Sequence, residues 1–91
     1  MITLTLYTRP GCHLCDDMKA VVRRTLRDLD ASHPPGPSAT VEEIDISTDP
    51  SLEARYGLEI PVLLVNGSKA AKYRVTTEEL RRTLAGRAGD G

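Results

Sequence analysis

The first residues alternate: Ile2, Leu4 and Leu6 are apolar, with Thr3, Thr5 and Tyr7 between them. Most are good β-formers, so this stretch predicts a strand with one face on a core. Thr8-Arg9-Pro10-Gly11 predicts a turn. From about His13 to Leu29 the period lengthens: Leu14, Met18, Val21, Val22 and Leu29 fall on one helical stripe, with Arg23, Arg24 and Arg27 largely off it. His33-Pro34-Pro35-Gly36-Pro37-Ser38 suits neither helix nor central strand and predicts a mobile surface loop.

Val41–Ile46 reads as a second strand. Thr48-Asp49-Pro50 opens a short helix with a capping side chain and a proline at the first position, running to about Tyr56 and stopping at Gly57. Pro61–Val65 is an apolar run of strand length, followed by the strong hairpin signal Asn66-Gly67 and a return strand over about Ala70–Arg74. Thr76 with Glu79 makes a capping box for a last helix through Leu80 and Leu84, ending near Gly86, with Arg87–Gly91 as a frayed tail. The order β-α-β-α-β-β-α predicts one α/β domain over residues 1–86. Its first two strands are parallel through a right-handed crossover and its last two form a hairpin, which gives a mixed four-stranded sheet with helices on both faces.

Charge and composition narrow the function. Twelve basic and 13 acidic residues give a net charge of −1, which argues against an electrostatic pull toward nucleic acid or an anionic membrane. Three tyrosines, without Phe or Trp, are too few for a base-stacking surface. Met1–Leu6 lacks the basic and long apolar regions of a secretory leader, and no apolar run approaches the roughly 20 residues of a membrane span. The expectation is a cytoplasmic monomer in a compartment that keeps thiols reduced.

Against that background the two cysteines stand out. Cys12-His13-Leu14-Cys15 falls between the first strand and the first helix, where a C-x-x-C reads as a thiol–disulfide exchange site. The metal reading needs four ligands, and neither a second C-x-x-C nor an H-x-x-x-H pair accompanies this one.

Further residues extend the pattern. The strand Leu4–Tyr7, the C-x-x-C, the acidic strand end Glu43-Ile44-Asp45-Ile46, the segment Tyr56-Gly57-Leu58-Glu59-Ile60-Pro61-Val62 and the hairpin Asn66-Gly67 occur in that order. Together they resemble a small glutaredoxin-like protein of the thioredoxin superfamily, over about residues 2–85. The chain departs from glutaredoxins in two places: His-Leu separates the cysteines in place of Pro-Tyr, and Lys72-Tyr73-Arg74-Val75-Thr76 stands where a glycine pair helps hold glutathione.

The resemblance implies a thioredoxin-like fold and a thiol–disulfide oxidoreductase. Cys12 would be the nucleophile, its thiolate favoured by the helix N-terminus, and Cys15, one turn on and partly buried, the resolving thiol. His13 either supplies a cation beside the thiolate or is an exposed helix-start residue. Arg9 either stands where glutaredoxins carry a lysine that pairs with a glutathione carboxylate or is solvated. Pro61 resembles the cis-proline that faces the C-x-x-C, and Ile60 before it would offer its backbone to an extended substrate. Tyr7 and Tyr56 read as packing residues.

The implied partners are a disulfide-containing protein or small-molecule thiol and a thiol reductant system. No bound cofactor is needed; glutathione is a candidate reductant against which the missing glycine pair weighs. Two other classes compete: a thioredoxin-fold binding module, and a dimer that bridges an iron–sulfur cluster or metal.

Overall fold

A computed structural model of the chain describes residues 2–32 and 38–90, with backbone alone over 87–90. The expected loop at 33–37, including His33, lies outside the described residues. The N-terminal alternation forms β1 (Ile2–Thr8), in which Ile2, Leu4 and Leu6 are buried. Helix α1 (His13–Asp30) follows, with Met18 and Val22 buried on its inner face and Arg23, Arg24 and Arg27 exposed. Thr25 is also fully buried on that face, which its polar hydroxyl concealed; the hydroxyl donates to the Val21 carbonyl at 2.8 Å.

Strand β2 (Ala39–Asp45) begins and ends earlier than expected, because Ile46 enters a 3-10 turn, Ile46–Thr48. The Asp45 carboxylate causes this by accepting the Ser47 N–H at 2.9 Å. Asp49 then caps α2 (Pro50–Tyr56), accepting from Ser51 N–H at 2.9 Å and Leu52 N–H at 3.3 Å. Strand β3 (Val62–Val65) leads through Asn66 (φ 50°) and Gly67 (φ 84°) into the last strand. Both positive φ angles are those a type I′ turn requires. Asn66 also bonds back to β1 twice: its N–H donates to the Thr3 carbonyl at 2.8 Å, and its side-chain oxygen accepts the Thr3 N–H at 3.0 Å.

Two further boundaries correct the expectation from sequence. Strand β4 is Ser68–Lys72, not Ala70–Arg74: a two-residue turn restarts pairing at once, and Tyr73 (φ 68°) ends it. Helix α3 is Thr77–Asp90 and passes through Gly86, so residues 87–90 continue the helix in place of the expected tail. Gly86 has no left-handed φ to stop it. The capping box forms as expected, with Glu79 N–H to Thr76 Oγ1 and Thr76 N–H to Glu79 Oε1, both 3.0 Å.

The sheet order is β2-β1-β3-β4, with β1 parallel to β2 and antiparallel to β3. Helices cover both faces. Ile2, Leu4 and Leu6 pack with Leu63 and Val65 against Met18 and Val22 of α1 and Leu80 and Leu84 of α3. On the opposite face Tyr7, Val62 and Leu64 meet Ile46, Leu52 and Tyr56, and the rings of Tyr7 and Tyr56 stack at 4.5 Å. The alternation of β1 and β3 thus divides one sheet between two cores. No helix among the described residues is long and apolar enough to cross a membrane.

Candidate active site

The site is built where β1 ends. Arg9 to Cys12 form a tight turn closed by Cys12 N–H to the Arg9 carbonyl at 3.3 Å. Pro10 presets its second position, and Gly11, at φ 79°, takes the left-handed third position that a type II turn gives to glycine. The chain emerges from this turn directly onto the N-terminus of α1. Cys12 is the N-cap residue, extended at φ −93°, ψ 110°, and its Sγ accepts the Cys15 N–H at 3.1 Å. A sulfur so placed meets the unpaired donors and partial positive charge of an 18-residue helix.

Cys12 and Cys15 form a disulfide, with Cα atoms 5.2 Å apart. Their surroundings differ. Cys12 is half-buried, whereas Cys15 is 2% exposed and belongs to the buried stripe of α1. The sequence placed Cys15 beside that stripe and partly buried; the helix register puts it inside. His13 is exposed at the first helical position.

Arg9 has a partner within the chain, since its guanidinium pairs with Glu53 of α2. The Arg9 side chain stays 38% exposed beside this contact. Gly57 stands against the pair. A Cβ there would lie 2.5 Å from the Glu53 carbonyl, 3.1 Å from Glu53 Oε1 and 3.3 Å from Arg9 Nη2. The helix stops at Gly57 as expected, but with ordinary φ −54°, so close approach and not a left-handed turn accounts for the glycine.

Ile60-Pro61 is a cis peptide. The register Tyr7↔Val62 sets Pro61 just beyond β3, opposite the end of β1 from which the turn to Cys12 departs. Cys12, Cys15, Arg9 and Ile60-Pro61 therefore gather at one end of the sheet.

The match of a family model settles the relationship: the Glutaredoxin-like domain (DUF836) fits residues 3–85. This chain belongs to the glutaredoxin-like domain family. Among solved structures, a structural genomics target protein from X. campestris is 30% identical, with 91% of this chain and 96% of that one covered and a TM-score of 0.65. Protein Ne2328 from Nitrosomonas europaea is 24% identical over 90% of this chain and 89% of its own, with a TM-score of 0.68. A mutant thioredoxin from Halobacterium salinarum is 18% identical and shares the fold, with a TM-score of 0.59 over 93% of this chain and 73% of that one. The glutaredoxin-like domain is thus a thioredoxin-like α/β fold.

Two clefts flank α1 in this glutaredoxin-like domain. One, of about 280 Å³, borders Cys15 and is walled by Thr8, Lys19, Glu43 and Asp45. Glu43 accepts from Lys19 Nζ at 2.9 Å and from the Thr8 hydroxyl at 3.1 Å. The Ser47 hydroxyl, then the Ser47 N–H, hold the Asp45 carboxyl below the usual carboxylate range; burial opposes them and Arg9 adds to them. The other cleft, of about 260 Å³, is lined by Met18, Val21, Tyr73 and Val75, with Asp17 and Glu79 at its edge. Sequence reasoning missed Thr8, Lys19 and Tyr73, which carry no motif; the acidic end of β2 marked Glu43 and Asp45 as family resemblance but gave them no role. Among the described residues no group of three or more His, Cys, Asp or Glu is placed to hold a metal ion.

Proposed function

We propose that this domain is a thiol–disulfide oxidoreductase of dithiol mechanism. The Cys12 thiolate attacks one sulfur of a substrate disulfide, forming a mixed disulfide and releasing the other sulfur as a thiolate that takes up a proton. The Cys15 thiol loses its proton and attacks Cys12 Sγ, which releases the second substrate thiol and leaves Cys12–Cys15 oxidised. An external dithiol then reduces the pair, so electrons pass from that dithiol to the substrate. The observation that carries this reading is Cys12 at the N-cap, its Sγ accepting the Cys15 N–H, because that donor stabilises the thiolate form the first step needs.

Ile60-Pro61, at the same end of the sheet, serves as the docking edge. A protein dithiol suits the reducing step better than glutathione. At the β4–α3 link, Tyr73 N–H donates to Pro61, Arg74 N–H to Lys72 and Thr76 N–H to Glu79, which leaves these donors engaged. The Glu79 carboxylate also occupies the start of α3, where it repels another carboxylate.

Two variants test the mechanism. Cys12→Ser abolishes disulfide turnover, and Cys15→Ser accumulates a mixed disulfide through Cys12, visible as a mass adduct. Wild-type turnover by Cys12→Ser would overturn the proposal. Reduction of the oxidised protein is faster with a thioredoxin system than with glutathione; the opposite order would overturn the choice of reductant.

A further inference from the structure

Tyr73 has φ 68°, in the left-handed region that a bulky side chain rarely occupies and glycine enters freely. The residue is 43% exposed, so burial offsets little of the conformational cost. Its polar groups offer more. The Tyr73 N–H donates to the Pro61 carbonyl at 2.9 Å, and its hydroxyl donates to the Leu58 carbonyl at 3.0 Å. One residue thus holds both ends of the segment 58–61. Side chains anchor the far end of that segment, where Pro61 is fully buried and Ile60 packs against the core, but not the near end, where Leu58 is 94% exposed. Glu59 reaches back to Lys69 at 2.8 Å and Lys72 at 3.5 Å, which ties the middle of the segment to β4 as well.

Between the two clamped carbonyls lies Ile60. Among the described residues, the hydrogen bonds of turns, loops and caps use neither its N–H nor its C=O. An open donor and acceptor on one residue, fixed from both sides, is what an added strand requires of its host. The cleft of Met18, Val21 and Val75 also has Tyr73 in its wall, so apolar surface adjoins this clamp.

We propose that Tyr73 is a positioning residue that fixes the Leu58–Pro61 segment so that Ile60 pairs with the main chain of an extended polypeptide disulfide. The inference rests on the thiol–disulfide exchange and the docking edge proposed above and adds the residue that holds that edge in place. The hydroxyl bond to Leu58 orders the edge before the substrate arrives, which lowers the entropy cost of docking. A small disulfide without a peptide backbone makes no use of that edge, so Tyr73 does not affect it.

The test compares wild type, Tyr73→Phe and Tyr73→Gly on two substrates: an unstructured peptide carrying a disulfide, and bis(2-hydroxyethyl) disulfide. Tyr73→Phe keeps the ring and N–H and removes one hydrogen bond, so KM for the peptide rises about three- to ten-fold with kcat unchanged. Its KM for bis(2-hydroxyethyl) disulfide stays at the wild-type value. Tyr73→Gly raises the peptide KM at least as far, although its backbone conformation is relaxed. An unchanged peptide KM in Tyr73→Phe, or an equal rise for both substrates, overturns the inference while wild-type turnover keeps the exchange reading. Absence of wild-type turnover with both substrates overturns the exchange reading and this inference with it.

Discussion

On one side of α1 the cleft is walled by Thr8, Lys19, Glu43 and Asp45; on the other, at nearly the same volume, by Met18, Val21, Tyr73 and Val75. The helix itself makes the division, since Cys15, Asp16 and Lys19 face one cleft while Asp17, Met18 and Val21 face the other. Three charges of the polar wall have partners: Arg9 with Glu53, Lys19 with Glu43, and Asp45 with Ser47. The apolar wall is continuous with the core through Met18. The two sides therefore rest on different physics. Burial holds one and withstands salt, whereas half-exposed charge pairs hold the other and are screened by it.

The largest effect separating them is expected at Met18, which is 1% exposed. Met18→Ala leaves a cavity in the α1–sheet core and costs about 2–5 kcal/mol, read from urea unfolding; a loss as small as that of a surface change would detach this wall from the core. Gly57→Ala tests the support behind the polar wall. At φ −54° alanine would stabilise the chain by reducing unfolded-state entropy if space allowed. The 2.5 Å approach to the Glu53 carbonyl reverses the sign, and we expect destabilisation of about 1–3 kcal/mol with a lower melting temperature.

Thr76→Ala removes the cap at the edge of the apolar cleft. It should cost about 1 kcal/mol, measured by denaturation, with Thr76→Ser recovering most of it. Glu43→Gln breaks the pair with Lys19. With side chains 40% and 29% exposed, the loss should stay below about 1 kcal/mol and shrink in 1 M salt, where the screening length is about 3 Å. A loss independent of salt would mean that packing, not charge, holds that wall.

The smallest effect is that of pH. The folded pKa of Asp45 is depressed, so its contribution is present above the ordinary value of 3.8 and is lost as pH falls from there through the folded value. Asp45→Asn should therefore lose less stability than wild type between pH 6 and pH 3, seen as a smaller shift in urea midpoint.

Much of this architecture was legible because local chemistry and tertiary need coincide. Ile2, Leu4 and Leu6 alternate, Asn66-Gly67 supplies two left-handed residues, and Thr76 with Glu79 caps a helix, each through contacts a few residues away. The C-x-x-C at a helix start was equally plain. What escaped was set by residues far apart in sequence. Arg9 and Glu53 are 44 residues apart, and Tyr73 reaches Leu58 across 15. Neither pair has a local signature. Gly57 was read as a helix terminator, and its neighbours in space, not its φ, explain it. Gly86 carries the same residue type but stands in open space, and the helix runs through it.

The unequal burial of the two sulfurs would matter to any survey of substitutions. Cys15 fills a position in the buried stripe of α1, so a screen for folded protein alone would penalise its loss beside that of Met18 and Val22 and score it as an ordinary interior site. Cys12, half-buried on the turn that Pro10 and Gly11 create, would pass that same screen under many replacements. Tolerance in a screen for abundance with intolerance in a screen for turnover would single out Cys12, and Cys15 would register in both.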